Sequence, residues 1–453
     1  MRNRLLRVTR IVAIGLLVSS CATSTPSTRT AVIFAESAEV AARSVERVGG
    51  QITHRLHLIN AVGASISDPQ LAELSTDSAL LRAVVSESGS ASAKSADMPA
   101  SQEIMTWLQA SLGRSAVNNK LQTYLEAAAP ELTGQGIGIA LIDTGISVSA
   151  FNRDANSPVR YAFNAVNDTY HDIEDDTGHG THLASLIAGF GDSFRGVAPN
   201  ADIVAIKAFD SDDTASILDV IRAIQWVVDH KDAFNIRVLN LSISAQADLP
   251  YYLDPMNIAL TQAWSEGLTV VVSAGNGGPQ PSSITAPGNN PWLITVGAAD
   301  YVSDQGWVDV APFSGRGPTA TGHIKPDILV PGTLLAGVMA SNAKRPEAEP
   351  DHRDPEGFWI TSGASQASAI ASGLIALILE SRPDLSNHDV KCILANTALP
   401  LLSDNNELVS PLAQGRGLLD LKAALQSDQT DCPERLDDTD PTLPLKGAFS
   451  HQQ

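Results

Sequence analysis

The strongest constraint on this chain is a rhythm in its apolar residues. Between about residue 130 and residue 425, near-continuous apolar runs alternate with segments whose apolar residues recur at helical spacing. The runs are GIGIALI (136–142), DIVAIKAF (202–209), IRVLNLSIS (236–244), LTVVVSAGN (268–276) and WLITVGAA (292–299); the helical segments include SILDVIRAIQWVVDHK (216–231) and MNIALTQAWSEG (256–267). A strand that is apolar on both faces must be covered on both, and helices that cross between strands of one direction do this. The expected fold is therefore α/β, a mostly parallel sheet with helices on both faces. With 43% hydrophobic and 18% charged residues the chain can fill such a core, which excludes a largely disordered protein. The longest apolar stretch, ASAIASGLIALIL from Ala367, is too short to span a bilayer and rich in small residues, so it is read as a buried helix.

The preceding residues are organised differently. Residues 1–20 carry Arg2, Arg4, Arg7 and Arg10 without an acid, then IVAIGLLV, then VSS before Cys21. That order of charge and apolar length is a signal peptide. Small residues before a cysteine resemble a bacterial lipobox, in which Cys21 is lipidated and becomes the N-terminus; the other reading is an ordinary signal cut near Ser20. Residues 21–29 form a polar spacer. Over residues 30–88 the pattern is strand, amphipathic helix closed by Gly49 and Gly50, two strands, a helix opened by Asp68-Pro69, and a strand. This βαββαβ order is that of a small ferredoxin-like unit. The small, polar, aperiodic residues that follow mark 89–101 as a linker open to proteolysis. A domain is then expected over 102–425, with an acidic, loosely ordered tail over 426–453.

Four residues stand where strands or turns meet the next element, the place where open α/β sheets put their sites. Asp143 ends the strand run GIGIALI, His179 lies in DTGHGTHLASLIAG, Asn276 ends LTVVVSAGN, and Ser365 lies in TSGASQAS at the head of the buried helix. These types fit acyl transfer. A serine hydroxyl becomes a nucleophile when a histidine takes its proton, and the histidine needs a carboxylate to fix its tautomer and stabilise its cation. An asparagine amide, with a backbone N–H, stabilises the tetrahedral oxyanion.

The motifs DTG, GHGTH, SAGN and SGAS in the order Asp, His, Asn, Ser resemble those of the subtilisin-like serine proteases, the subtilases. GVAP at Gly196, VLNLS at Val238, ITVGA at Ile294, FSGRGP at Phe313, KPDILVPG at Lys325 and the closing GRGLLD extend the resemblance over about 130–425. It implies Asp143, His179 and Ser365 as catalytic triad, Asn276 at the oxyanion, and Ser242, Ile243, Ser244, Ser273, Ala274 and Gly275 as substrate-binding. The βαββαβ unit is similar to the subtilase propeptide, an inhibitor and folding chaperone. TSGAS holds two serines; aligning Gly363-Ala364-Ser365 with the family's Gly-Thr-Ser selects Ser365 over Ser362.

Several departures matter. Ala364 and Ala369 stand where the family has Thr and Pro, and Ser242-Ile243-Ser244-Ala245 replaces a strip that usually contains Gly, which leaves substrate preference open. GFGDSFR (189–195) does not resemble an oxygen-rich calcium loop, so no metal or other cofactor is expected to be required, and calcium elsewhere stays open. HGTH lacks the spacing and glutamate of a zinc motif. The second DTG, at Asp176, lies too near the first for a two-lobed aspartic protease. GQGIG precedes rather than follows a strand, so it is no dinucleotide loop.

Charge and cysteines complete the reading. Lys+Arg 30 against Asp+Glu 50 gives a net charge of -20, which disfavours nucleic acid. With Cys21 assigned to lipid, Cys392 and Cys432 remain, either as free thiols or as a disulfide pinning the tail. The expected protein is an exported bacterial serine endopeptidase made as an autoprocessed zymogen, acting on proteins or peptides and inhibited by its own propeptide. Its membrane partner is reached through Cys21 and left behind once the propeptide is cut. The competing expectation is an inactive, protease-like lipoprotein that serves as a binding or scaffold protein.

Overall fold

The computed structural model describes residues 28–86, 90–92, 116–154, 157–191, 194–302, 307–340, 343–344, 352–353, 357–403 and 405–432. Residues 1–20, read above as a signal peptide, Cys21 and the tail beyond Cys432 lie outside the described residues. The first unit comprises β1 (Thr28–Ala35), α1 (Ala38–Arg47), β2 (Gln51–Leu56), β3 (Ala61–Ser67), α2 (Asp68–Leu74) and β4 (Leu80–Ser86). Its antiparallel sheet runs β2-β3-β1-β4, the ferredoxin-like order. Side chains start its helices. Ser37 caps α1 at Val40 N, and Ser67 and Gln70 form a capping box ahead of Pro69 on α2. Two ends differ from expectation: β1 takes in Thr28 and Arg29 from the spacer, and β5 (Ser90–Ser92) lies inside the linker.

The period of β1 explains how this unit is joined to the rest. Ala31, Ile33 and Ala35 pack with Ala41, Ala42, Val45, Val62, Ala64, Ile66 and Leu74 in a core of the unit's own. Val32 and Phe34, on the opposite face, join Leu56, Ile59 and Ala61 in the large core of the second domain. One strand thus serves two cores.

The second domain begins with α3 (Ala116–Ala128), β6 (Gly138–Asp143), β7 (Val159–Asn164), α4 (His179–Ala188), β8 (Asp202–Lys207), β9 (Thr214–Ser216), α5 (Ile217–His230) and β10 (Ile236–Leu241). It continues with α6 (Pro255–Ser265), β11 (Thr269–Ser273), β12 (Ile294–Val302), β13 (Trp307–Val310), β14 (Ile328–Pro331), β15 (Leu335–Gly337), β16 (Trp359–Thr361), α7 (Ala364–Ser381), α8 (Asn387–Thr397) and α9 (Leu421–Gln426). The eight-stranded sheet runs β13-β12-β11-β10-β6-β8-β7, with β14 also beside β12, and every pairing in it is parallel except β12 with β13. Chain order reverses at β6, whose neighbours are β8 on one side and β10 on the other. A crevice opens at the carboxyl ends of strands where order reverses in this way. Helix α7 is long and apolar enough to cross a membrane, but 89% of it is buried within the protein, as a core helix.

The start of the tail is held rather than loose. Arg382 Nη1 donates to Ser427 O at 2.6 Å, Asn396 Nδ2 donates to Asp431 O at 2.9 Å, and Cys392 is bonded to Cys432. Composition showed the acids of this segment; it could not show that its backbone carbonyls are captured by two side chains.

A buried ion cluster locks the far side of the sheet. Lys325 Nζ lies 2.6 Å from Asp327 Oδ2 and Lys391 Nζ lies 3.4 Å from Oδ1, while Thr295 N donates to Oδ2 at 2.6 Å. Burial opposes ionisation of Asp327, yet the two ammonium groups and these hydrogen bonds outweigh it and hold the carboxyl below its usual range. A depressed carboxyl pKa gives stability that is present above the unfolded-state pKa and lost as pH falls through the folded one. In a Ser365→Ala background, Asp327→Asn is expected to lower the unfolding free energy by about 3–5 kcal/mol at neutral pH. The difference should narrow as pH falls below the carboxylate range; urea titrations across pH measure it, and equal midpoints at neutral pH would show that the cluster carries no weight.

Candidate active site

Asp143 is the last residue of β6 and is buried, so its charge needs partners. Its Oδ1 accepts from Thr144 N at 2.8 Å and from His179 Nδ1 at 2.7 Å. The Asp143 bond fixes the imidazole with its proton on Nδ1 and leaves Nε2 as the basic atom. His179 opens α4, and Gly178 before it, at φ +97°, takes the left-handed turn that aims the helix at β6. Glycine is also needed at position 180, where a methyl would strike Gly145 O and crowd Asp143.

A second carboxylate, Asp175, frames this pair. Its Oδ1 accepts from Gly178 N at 2.7 Å and from Thr144 Oγ1 at 2.8 Å, and its Oδ2 accepts from Thr181 N at 2.8 Å and Thr181 Oγ1 at 2.7 Å. Thr144 Oγ1 in turn accepts from Gly180 N at 2.9 Å. The turn after β6 and the head of α4 are thus cross-tied through three side chains. Lys207 closes the frame from β8. It stands opposite Asp143 in the parallel ladder, and its Nζ donates to Thr144 O at 2.7 Å, Glu174 O at 2.8 Å and Asp176 Oδ2 at 2.9 Å. Motif reading passed over both residues. A lysine inside the buried run DIVAIKAF was the available signal, since a buried ammonium must have oxygen partners.

Ser365 lies in the first turn of α7, where helix geometry supplies no acceptor for the backbone N–H groups. The N–H of Ala364 donates to Asn276 Oδ1 at 2.9 Å, which ties Asn276 to the head of this helix. Ser365 Oγ donates to Ser242 O at 3.2 Å, and His179 Nε2, though buried, has no hydrogen-bond partner among the described residues. The resting hydroxyl is therefore turned toward β10; rotation about its Cα–Cβ bond is the motion that redirects it. Ser362 is committed elsewhere, its Oγ accepting from Leu334 N at 2.9 Å. His182 is likewise occupied, with Nε2 on Trp359 O at 3.1 Å.

The six residues expected to bind substrate divide. Ser242, Ile243, Ser273 and Ala274 are buried. Ser242 Oγ lies 2.7 Å from Asn240 Oδ1 and 2.6 Å from Ser368 Oγ, and Ser273 Oγ donates to Ile243 O at 3.3 Å. Their side chains hold the strand ends beneath α7, so what this strip offers outward is backbone. Ser244 is half-buried, and Gly275 turns the chain at φ +86° to present Asn276. Among the described residues no group of three or more His, Cys, Asp or Glu side chains is placed to hold a metal ion.

Comparison with known proteins shows the family. Residues 134–417 match the model of the Subtilase family, and the chain belongs to that family. It is 35% identical over 277 residues to serine protease AprX of Bacillus subtilis (strain 168), a match covering 58% of this chain and 62% of AprX. It is 25% identical over 414 residues to a thermostable alkaline protease of Halalkalibacterium halodurans, covering 91% and 96% of the two chains. In fold it is similar to fervidolysin from Fervidobacterium pennivorans, a keratinolytic enzyme related to subtilisin, with a TM-score of 0.69 and 22% identity over 90% of this chain and 62% of that one. The chain thus spans less than two thirds of AprX and of fervidolysin.

The frame around Asp143 and His179 predicts a positioning role for Lys207. Lys207→Met should lower kcat on a peptide substrate by about 10- to 100-fold with little change in KM, because the turn that orients the pair loses its clamp. Steady-state kinetics measure this split, and wild-type kcat in the variant would remove Lys207 from the frame.

Proposed function

We propose that this chain is an exported serine endopeptidase made as a zymogen, which hydrolyses peptide bonds through an acyl-enzyme on Ser365. The observation that carries this reading is the buried 2.7 Å bond from His179 Nδ1 to Asp143, with the basic Nε2 left for a serine at the head of α7. Ser365 Oγ attacks the peptide carbonyl while His179 Nε2 takes its proton; His179 then returns a proton to the leaving amine, and water repeats the sequence on the acyl-enzyme. Asp143 stabilises the imidazolium. Asn276 and backbone N–H groups at the head of α7 stabilise the oxyanion, aided by the positive end of the helix dipole. Every proton-transfer and oxyanion role is filled by protein groups, so the reaction requires no cofactor.

The zymogen reading rests on the first unit's contacts. β5 pairs antiparallel with β9 of the second domain, Ser92 opposite Thr214 and Ser90 opposite Ser216, which lays these three residues along the second domain as an extended peptide. His54 and His57 meet Asp219 and Asp229 of α5 at 2.9 Å and 3.1 Å, Leu58 N donates to Gln225 Oε1 at 3.1 Å, and Gln225 Nε2 donates to Arg55 O at 3.2 Å. A unit with its own core, a seam that mixes polar and apolar contact, and a strand in the linker suits an intramolecular inhibitor removed by cutting. Export and lipid attachment rest on residues 1–20 and Cys21; cutting within 89–101 would then part the protease from its anchor. The competing reading, an inactive binding lipoprotein, draws on the resting Ser365 hydroxyl, which points at Ser242 O instead of His179.

One set of proteins separates the two. Wild type and Ser362→Ala are expected to label with a fluorophosphonate probe and to cut their own linker, whereas Ser365→Ala should do neither. Labelling and self-cleavage retained in Ser365→Ala would remove Ser365 as nucleophile, and an unlabelled, uncut wild type would favour the binding reading.

A further inference from the structure

The residue after the nucleophile is a glutamine whose place in the structure is unusual. Gln366 is fully buried, and neither its Oε1 nor its Nε2 has a hydrogen-bond partner among the described residues. A buried amide left unpaired is costly, and native interiors rarely keep one without a use for it. The same side chain on a helix elsewhere would reach water; here the packing of α7 holds it in.

Its surroundings show what the amide faces. A methyl built on Gly363 would run into Gln366 Oε1 and would stand 3.6 Å from Asn276 Nδ2, so both side-chain amides come close to one point on the backbone. Asn276 is anchored through its other end, since its Oδ1 accepts from Ala364 N at 2.9 Å, and that anchor turns Nδ2 toward Gly363. Gly363 also has to be glycine for this reason: any side chain would strike the Gln366 amide. Between Gly363 and Ser365, Ala364 brings only a methyl to this wall. Because neither amide atom of Gln366 is bonded, a half-turn about its last torsion exchanges Oε1 for Nε2 at the same position without breaking a protein hydrogen bond.

We propose that Gln366 is a further catalytic residue, its Nε2 donating a hydrogen bond to the tetrahedral oxyanion beside Asn276. The proposal rests on Ser365 as nucleophile. As the Ser365 Oγ–carbon bond forms, the hydroxyl proton passes to His179 Nε2 and the carbonyl π pair moves onto the substrate oxygen; Gln366 Nε2–H then gains an acceptor that the resting enzyme does not give it. An interaction made with the developing charge and absent from the free enzyme raises kcat and leaves KM little changed. The helix fixes where the amide sits, and the half-turn that brings Nε2 to the oxyanion breaks no protein hydrogen bond.

Gln366→Met keeps the length of the side chain and its fit to a helix, and removes the donor. It is expected to lower kcat about 10-fold at nearly constant KM, and to weaken a peptide boronic acid, which forms a tetrahedral adduct on serine, by a similar factor. The matching peptide acid, which forms no adduct, should bind wild type and variant alike. Gln366→Glu, which offers a negative oxygen at the same point, should lower kcat further than Gln366→Met at pH 8. Equal kcat and equal boronic acid affinity in wild type and Gln366→Met would overturn the proposal, as would equal losses of boronic acid and peptide acid affinity, which would make Gln366 a packing residue. Failure of the underlying reading looks different: wild type itself would then form no boronic acid adduct and take up no fluorophosphonate.

Discussion

A carboxylate at the end of a buried strand is the constraint around which this protein is arranged. Asp143 lies where β6 stops, at the middle of the sheet and under two helices, so water cannot solvate its charge. The compensation is local and layered. Thr144 N and His179 Nδ1 bond the carboxylate; Asp175 ties the residues on both sides of that pair; Lys207 threads its ammonium into the carbonyl oxygens of Thr144 and Glu174. Each layer exists because the one inside it would otherwise hold an unpaired charge or dipole. The parallel ladder makes this possible, since register between β6 and β8 places Lys207 directly opposite Asp143.

The same register argument accounts for the first unit. β1 alternates its side chains between a small core and the large one, so the unit folds around α1 and α2 while borrowing apolar cover from α5 and α6. Burial on that second face is not needed for the unit's own sheet order, which antiparallel pairing already fixes. The seam carries polar contact as well as apolar: His54 meets Asp219, and the Arg82 guanidinium lies over the Phe34 ring and offsets a little of the rise that burial gives the Asp254 carboxyl. Interfaces mixed in this way separate more readily than a continuous core.

How much of this was legible in the sequence follows from the range of each interaction. The period of apolar residues is local, and it gave the α/β class, the βαββαβ unit and the buried character of α7. The four site positions were legible because a strand end, a glycine pair or a helix start marks each of them. Cross-strand and cross-loop bonds leave no such mark. Asp175 reads as one more acid before DTG, Lys207 as one polar residue inside an apolar run, and Gln366 as a spacer in a family motif. The strand at Ser90–Ser92 was read as linker because three small polar residues have no period to detect and are extended only by pairing with β9. The inward bonds of the substrate strip left no mark either: the Ser242 and Ser273 hydroxyls are spent on Asn240, Ser368 and Ile243, which leaves backbone as what the strip can offer.

The composition of α7 ties stability to chemistry. Its first sixteen residues are buried, and the small ones among them set how closely the helix approaches its neighbours. Gly373 meets Val197 with no room for a methyl, and Ser368 and Ser372 bond to the Ser242 and Asn240 side chains at the end of β10. Larger residues at these points would lift the helix from the sheet, and its head would carry Ser365, Gln366 and the Asn276 anchor with it. A loop could hold those groups without such consequences, but it could not hold them still. Placing Ser365 and Gln366 on a helix whose first sixteen residues are buried means that the packing that keeps the domain folded also fixes how they stand to Asn276, so a substitution deep in α7 acts on the candidate site and on stability together.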